Sequence, residues 1–576
     1  MSDNKVTQLV PERMLDLMEA EGIRHLFGIP DPCFVSMFLA AEQRGWTVIA
    51  PHHESAGGFM ADGVWRLTGK PAVIIGNEGP GVANLVPAAI CAAKENIPTI
   101  FIAGQRERMY DQQVRRGHFQ YTTQPRFFEA AMKYVGVIEY AHQVDEVFHE
   151  AFRQALSGTP GPVFIEYPQD HSFAEHAFGP IVPPHRYRLT QQKAADSDIN
   201  AAADLLHSAD QPVIFLGAGA FSSRAMPAIE ALVKAVGCPV IQTPSANGAI
   251  KSVAAQFIPY ATPVANELIA QTDVVLAIGT EIGEPVHYGQ TRHWAVGKTD
   301  RKWIYIERDP TAIGVNRPID LPLVGDLRDV VPQLTDVMAE KGSVNRLPAD
   351  FAEKRNGLFS DIKALAESIP VSDPIHPAHL ITEATKVIPA DSIIVRDGGA
   401  TQFWFATFNQ QPDAEVIWCG NFGHLGTGLP HAIGAALVEA DKRRVVLVTG
   451  DSALLFHISE LETAVRKNLP IVIIVQCDYS WGLEVKVYKT VFGNDSAETE
   501  AHWGKQVRFD KIAEGFGAHG EYVTRTEDIG PAVERAFASG KPAVVQVPVD
   551  ATISALDMPG FEELSSWYGE EGYGSS

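Results

Sequence analysis

The chain has 576 residues, a formal net charge of −23, and 45% hydrophobic against 20% charged residues. That globular composition excludes disorder as the main state. It also excludes a general nucleic-acid binder, because the surplus charge has the sign of phosphate.

The first residues, MSDNKVTQLVPERMLDLMEAEG, mix acids and bases and lack the apolar core of a signal peptide. No run of about 18 uncharged apolar residues occurs, so no membrane span is expected. Cys33, Cys91, Cys238, Cys419 and Cys477 are scattered without a CxxC pair. They argue against a disulfide framework or zinc site and fit a reducing cytoplasm.

Short β-branched runs then recur, each followed by a helical pattern. They are PAVIIG (71–76), PTIFIAG (98–104), PVIFLGAG (212–219), DVVLAIG (273–279), KWIYIE (302–307), SIIVRDGG (392–399), RVVLVTGD (444–451) and LPIVIIVQ (469–476). Unbroken apolar strands alternating with helices predict parallel sheets covered on both faces, an α/β fold. The polar, proline-bearing stretch 179–198 and the charged stretch around 340–375 read as linkers. They divide the chain into three doubly wound parallel-sheet domains, at 1–185, 190–345 and 370–558, each of ordinary domain size. Residues 559–576 are rich in Gly, Ser and Glu yet hold Phe561, Trp567, Tyr568 and Tyr573. They read either as a frayed tail or as a lid over an active site.

The candidate chemistry is concentrated at strand ends. In PHHESAGG (51–58), Glu54 is a carboxylate just past an apolar run; in isolation it would be an ordinary turn residue. GAGA (217–220) and Gly279 in the middle domain are weak nucleotide signals, with Arg224, Lys251 and Arg308 as the basic residues that could meet phosphate. The segment 445–488 carries the strongest pattern. One strand ends in Gly450-Asp451-Ser452-Ala453, a helix follows with Leu461, Val465 and Leu469 on one face, and a second strand ends at Cys477-Asp478. Ligands of open parallel sheets bind at the carboxyl ends of strands. Two hard oxygen ligands there suit Mg²⁺ holding a diphosphate, and the small residues let backbone N–H groups approach phosphate at a helix start.

With these residues the chain, over about residues 5–555, resembles the thiamine-diphosphate enzymes, the group of acetolactate synthase, 2-oxoacid decarboxylase, oxalyl-CoA decarboxylase and 2-hydroxyacyl-CoA lyase. The family motif is GDG followed after nearly thirty residues by NN. Here Ser452 replaces the last Gly, a form of the oxalyl-CoA decarboxylase and 2-hydroxyacyl-CoA lyase branch, and Cys477-Asp478 replaces the Asn pair. The resemblance implies Mg²⁺ on Asp451, Asp478 and the backbone carbonyl of Ser480. It implies thiamine diphosphate against Gly450, Asp451, Ser452, Ala453 and Asp478, against Thr401 and Gln402 of DGGATQFW (397–404), and against Gly423 and the apolar wedge Leu425 of WCGNFGHLGTGLPHAIGAAL (418–437). Glu54 matches the glutamate that contacts the pyrimidine nitrogen N1′. The thiazolium C2–H is a weak acid, and the cofactor's own imine removes its proton only when N1′ is proton-bonded, which a carboxylate in a dry pocket achieves.

Further matches concern the reaction. GNEGPGVANL (76–85) resembles the family's SGPGATN loop, with Glu78 in place of a small hydroxyl residue. RRGHFQYTTQ (115–124) resembles a Phe-Gln-Glu segment in which Gln120 could bond a substrate oxygen, with Tyr121 replacing the acid. Glu484, six positions past Asp478, matches a glutamate that faces the reacting carbon in the pyruvate-decarboxylase branch. The resemblance also implies a homodimer or homotetramer, with the pyrimidine domain of one chain meeting the diphosphate domain of another. The central domain stays empty in many members and binds FAD, ADP or the nucleotide of coenzyme A in others. Our main expectation is a carbon–carbon lyase cleaving a 2-hydroxyacyl-CoA to formyl-CoA and an aldehyde or ketone. The alternative is a 2-oxoacid decarboxylase or acetolactate-synthase-like carboligase. A catalytically silent binding relative is disfavoured by the presence of Glu54, Asp451 and Asp478 together. A coenzyme A substrate needs a basic patch within an acidic chain, and Arg106, Arg108, Arg115, Arg116 and Arg308 are its candidates.

Overall fold

The computed structural model describes residues 5–111, 117–246, 251–411 and 414–558. The chain forms three six-stranded parallel sheets, as expected for the α/β class, and one two-stranded antiparallel ribbon joining Val6–Leu9 to Glu175–Phe178. It separates into two compact units. The first holds residues 1–192 with Cys419–His424 and Ile433–Val438, and the second holds Lys193–Trp418, Leu425–Ala432 and the residues from Glu439.

The sheet of the first unit runs, in space, Thr47–Ile49, His25–Gly28, Val73–Gly76, Ile100–Gln105, Val163–Pro168, Tyr134–Val137. By chain position that is the order 2-1-3-4-6-5. The C-terminal sheet in the second unit repeats it: Glu415–Ile417, Ile393–Arg396, Val445–Gly450, Ile471–Cys477, Ala543–Pro548, His519–Tyr522. The central sheet differs. Its strands Phe257–Pro259, Val240–Gln242, Pro212–Leu216, Val274–Ile278, Lys302–Glu307 and Leu321–Val324 follow the order 3-2-1-4-5-6. Each order has one switch point where connections leave in opposite directions, and a crevice opens there at the carboxyl ends. In the C-terminal sheet the switch lies between Ile393–Arg396 and Val445–Gly450, so it places Asp397 and Asp451 side by side in the topology.

The strands read as continuous apolar runs because both faces are covered. Val445–Gly450 and Ile471–Cys477 are buried throughout. Ile394, Val446, Val448, Val472, Ile474 and Val545 pack under the helix Pro377–Lys386 and its neighbours in one core.

Two expectations about local structure are corrected. The stretch around 340–375 holds an 18-residue helix, Phe351–Ser368. Its charged residues are helix formers that pair along its exposed face, as Lys363 does with Glu367, while only Phe351 and Ala366 are buried. The helix after Asp451 is two short ones, Asp451–Phe456 and Glu460–Arg466. Leu469 lies beyond both, after Asn468 turns the chain with a φ of 53°. Among the described residues no helix is long and apolar enough to cross a membrane. The tail 559–576 lies outside the described residues.

Candidate active site

In the first unit, Glu54 opens the helix Glu54–Thr68 and is 5% exposed. His53 precedes it as the cap, with Nδ1 accepting the Ser55 N–H. A carboxylate at a helix start is favoured by the dipole and the free N–H groups there. Glu54 Oε2 accepts a hydrogen bond from Asn84 Nδ2 at 2.9 Å. Its Oε1 lies 3.0 Å from where a Cβ on Gly81 would stand, so a side chain there would press on the carboxylate. Asn84 is a residue that sequence reasoning quoted but did not single out.

Around the same sheet ends, Glu78 pairs with Arg106 at 3.0 Å. Burial raises the Glu78 carboxyl and Arg106 opposes that shift. Gln120 is exposed and holds a φ of 61°, next to the Phe119 carbonyl that the Arg106 guanidinium bonds at 3.2 Å. Gly423 belongs to this unit, with a φ of 66° and open space where a Cβ would point. Two residues before it, Asn421 donates its backbone N–H to Glu95 Oε1 at 2.7 Å.

In the second unit, Asp451 is 1% exposed. Its Oδ1 accepts the Ser452 N–H and its Oδ2 the Tyr479 N–H, each at 2.8 Å. Asp478 Oδ1 accepts the Ser480 N–H at 3.0 Å. Burial pushes the Asp451 carboxyl well above the usual carboxylate range, and the neighbouring Asp478 adds to the shift. Burial pushes Asp478 up to about 6, against the N–H of Ser480. Two neighbouring acids whose carboxyls are raised by burial are stabilised as anions by a cation. Gly482 leaves room for this: a Cβ there would stand 2.7 Å from Asp478 Oδ2.

Ser480 sits inside a short antiparallel return. Trp481 N–H bonds the Ala501 carbonyl at 2.8 Å and Trp503 N–H bonds the Tyr479 carbonyl at 3.0 Å. These bonds flank the Ser480–His502 bridge. The Ser480 N–H and C=O therefore point away from the returning segment, to the side where Asp478 meets the N–H. The buried Ser480 hydroxyl oxygen has no hydrogen-bond partner. Among the described residues no group of three His, Cys, Asp or Glu could hold a metal ion. A cation here would take two carboxylates, a carbonyl and oxygens from water or phosphate. That donor set fits Mg²⁺, which keeps waters and substrate phosphates in its shell.

The remaining predicted residues lie in the same unit. Thr401 Oγ1 lies 3.2 Å from where a Cβ on Gly450 would stand. Gln402 is 6% exposed, and neither atom of its amide has a partner. Ala453 is buried and Ser452 half-buried. Leu425 is half-buried, beside Gly426, whose carbonyl lies 2.7 Å from His457 Nδ1. Glu484 stands exposed in the first turn of the helix Gly482–Phe492. Asp397 was not foreseen. Its carboxylate accepts the Gly398 and Gly428 N–H groups at 2.7 and 2.8 Å and is pushed up to about 6 by burial.

In the central sheet the glycines have a packing explanation. Gly217 and Gly219 N–H groups bond the Ile278 and Gly279 carbonyls at 2.9 Å, and a Cβ on Gly217 would stand 2.2 Å from the Gly279 oxygen. Arg224 pairs with Glu415 at 2.8 Å, and Arg308 with Asp326 at 3.6 Å.

Three doubly wound sheets, a buried acid at one helix start and two acids past neighbouring strand ends define the class as an α/β enzyme with acids at the carboxyl ends of its strands. Family models agree. Residues 10–132 match the N-terminal binding domain of the thiamine pyrophosphate enzymes, 199–334 the central domain and 397–547 the C-terminal binding domain. The chain belongs to the thiamine-diphosphate-dependent enzymes.

It is similar to a probable acetolactate synthase large subunit of Methanococcus aeolicus, 28% identical over 569 residues, covering 95% of this chain and 93% of the relative. It is also similar to the acetolactate synthase of Bacillus subtilis (strain 168), 28% over 566 residues, covering 94% and 93%. The 2-hydroxyacyl-CoA lyase of Arabidopsis thaliana is 28% identical over 547 residues, covering 92% and 93%.

Proposed function

We propose that the protein is a thiamine-diphosphate- and Mg²⁺-dependent enzyme of 2-oxoacids, a decarboxylase or acetolactate-synthase-like carboligase. This reverses the order of the two readings drawn from the sequence. The observation that carries it is the state of the arginines a coenzyme A substrate would need. Arg106 is paired with Glu78 at 3.0 Å, Arg108 with Glu139 at 2.8 Å and Arg308 with Asp326 at 3.6 Å. Arg115 and Arg116 lie outside the described residues. Phosphate groups would have to compete with these carboxylates for the guanidinium groups. The similarity to acetolactate synthases over nearly the whole chain supports the same reading. The similarity to the plant lyase keeps 2-hydroxyacyl-CoA cleavage as the second one.

Bound thiamine diphosphate supplies a carbon nucleophile and an electron sink; the other tasks fall to the chain. Glu54 holds a proton at the pyrimidine nitrogen. Asp451, Asp478 and the Ser480 carbonyl hold Mg²⁺, with Thr401, Gln402, Gly450, Ser452 and Ala453 around the diphosphate. Leu425 would offer the cofactor an apolar contact, and Gly423, with open space at its Cβ position, would lie near the aminopyrimidine. Glu484 and Gln120 face the substrate, Glu484 to move a proton at its oxygen and Gln120 to bond it. The Glu54 half and the Asp451 half come from two copies of the chain, so a homodimer is the smallest active unit.

The test is a pair of assays with thiamine diphosphate and Mg²⁺. Pyruvate should release CO₂, and a 2-hydroxyacyl-CoA should give no formyl-CoA. Formyl-CoA without CO₂ would restore the lyase reading. Mixing Glu54→Gln chains with Asp451→Ala chains should recover part of the activity that each lacks. No recovery in verified mixed dimers would sink the shared site.

A further inference from the structure

Glu95 is a buried carboxylate without a task in the proposed chemistry. It follows the helix Pro80–Lys94 as its C-cap, and its side chain is 4% exposed. The carbonyl end of a helix is its negative pole, where a carboxylate is disfavoured. Burial adds a cost that only bonded partners offset. One partner is Arg66 of the helix Glu54–Thr68. Its Nη2 donates to Glu95 Oε2 at 3.1 Å, while its Nε holds Asp62 at 2.6 Å. The other partners lie 326 positions or so further along the chain. Glu95 Oε1 accepts the Asn421 N–H at 2.7 Å and the Phe422 N–H at 2.8 Å, and Cys419 Sγ lies 3.5 Å from it. All these residues belong to the first compact unit.

The bonds fix a loop that is itself exposed. Asn421, Phe422 and Gly423 are exposed, whereas Cys419 is buried before them. After them the His424 ring packs on Phe59, with 5.1 Å between centroids. Gly423 stands between the carboxylate and that ring contact. Its φ is 66°, and its N–H bonds the Cys419 carbonyl at 3.2 Å. A Cβ there would meet nothing within 4 Å, so the left-handed turn, and not packing, calls for glycine. A left-handed turn on an exposed loop has few contacts to hold it. Two N–H groups bonded to one ionised carboxylate are a strong anchor.

We propose that Glu95 is a positioning residue for the cofactor: by holding the Asn421 and Phe422 N–H groups it sets the Gly423 backbone against the aminopyrimidine of thiamine diphosphate. The inference rests on the place given to Gly423 in the proposed function. It does not depend on which substrate the enzyme takes, because alignment of the aminopyrimidine bears on loss of the cofactor's C2 proton, before any substrate reacts.

The test uses the full-length protein with thiamine diphosphate and Mg²⁺, its fold checked by melting temperature. In the cofactor-free protein, Glu95→Ala should speed deuterium exchange of the Asn421 and Phe422 amides by about tenfold, the cost of losing a hydrogen bond to a charged group. In the loaded protein it should slow deuterium exchange at the cofactor C2 by about 10²-fold, the scale of a small misplacement of reacting groups. Cofactor affinity should stay within threefold. Glu95→Gln keeps an oxygen for both N–H groups without the charge, so it should recover part of the loss and slow C2 exchange by about tenfold. C2 exchange within threefold of the wild type in folded Glu95→Ala overturns the proposal, as do equal losses in C2 exchange and cofactor affinity, which mark a merely structural role. If Glu95→Ala does not fold, Glu95→Gln decides, and a wild-type C2 rate in that variant overturns the proposal. Failure of the underlying reading looks different. Cofactor added to the wild type should protect the loop amides, and no protection would mean that Gly423 does not lie at the cofactor.

Discussion

The N-terminal and C-terminal sheets share one strand order, and both bury acids past the carboxyl ends of their strands. Yet in the first, Glu54 is held by the neutral amide of Asn84. In the last, Asp451 and Asp478 stand as neighbours, and their hydrogen-bond partners are backbone N–H groups. One acid beside an amide is suited to keeping or sharing a proton. Two neighbouring acids, both raised by burial and one by the other, are suited to a divalent ion. In the proposed function the same scaffold thus serves once to hold a proton and once to hold a cation, and the difference lies in a few residues of the turns.

Four substitutions probe that contrast, from the largest effect to the smallest. Asp451→Ala leaves one carboxylate and should weaken Mg²⁺-dependent cofactor binding by on the order of 10³-fold, the cost of breaking a buried ionic contact. Titration of the cofactor at fixed Mg²⁺ reads this, and a loss below tenfold would remove Asp451 from the cation site. Glu54→Gln should lower turnover by about 10²–10³-fold, the range of one acid–base group, with cofactor affinity within threefold. Equal losses in binding and turnover would erase the distinction between the two ends. Glu484→Ala should lower turnover by about 10²-fold, and a change under threefold would take it out of the reaction.

Asp397→Asn addresses stability. The folded carboxyl titrates near 6 and the unfolded one near 4. Between those values the folded state binds more protons, so the cofactor-free protein loses stability as pH rises from about 4 to 6, by roughly 3 kcal/mol. The asparagine variant should show a flatter melting temperature across that window. An unchanged slope would mean that Asp397 is already ionised below pH 4 in the folded protein.

Much of this architecture can be read from residues alone, for a physical reason. Parallel strands buried on both faces, such as PVIFLGAG and LPIVIIVQ, leave continuous apolar runs that other structures rarely produce. The paired acids were legible because each follows such a run. Other features depend on partners distant in the chain. The ribbon between Val6–Leu9 and Glu175–Phe178 joins segments with no shared local pattern. The helix Phe351–Ser368 was read as a linker because its charged surface hides a face with only two buried residues. Asp397 looks like an ordinary polar end to a strand. Its significance comes from what Gly428 brings to it. Glu484 matched a family position, yet its side chain stands exposed in the single chain.

The antiparallel return at Ser480 has a consequence for how the proposed cation site would assemble. Tyr479 and Trp481 are held by Ala501 and Trp503, so the metal turn is finished only when a segment some twenty residues later folds back. Closing such a loop costs entropy that must be recovered by the contacts it makes. The connecting residues 491–500 are mostly exposed, which makes them a natural place for a protease to cut. A cut there would release one strand of the return and loosen Ser480 without touching either aspartate. Cofactor and Mg²⁺, by fastening the turn from the other side, should slow that cleavage, so limited proteolysis of this single stretch reports the loading of the whole site.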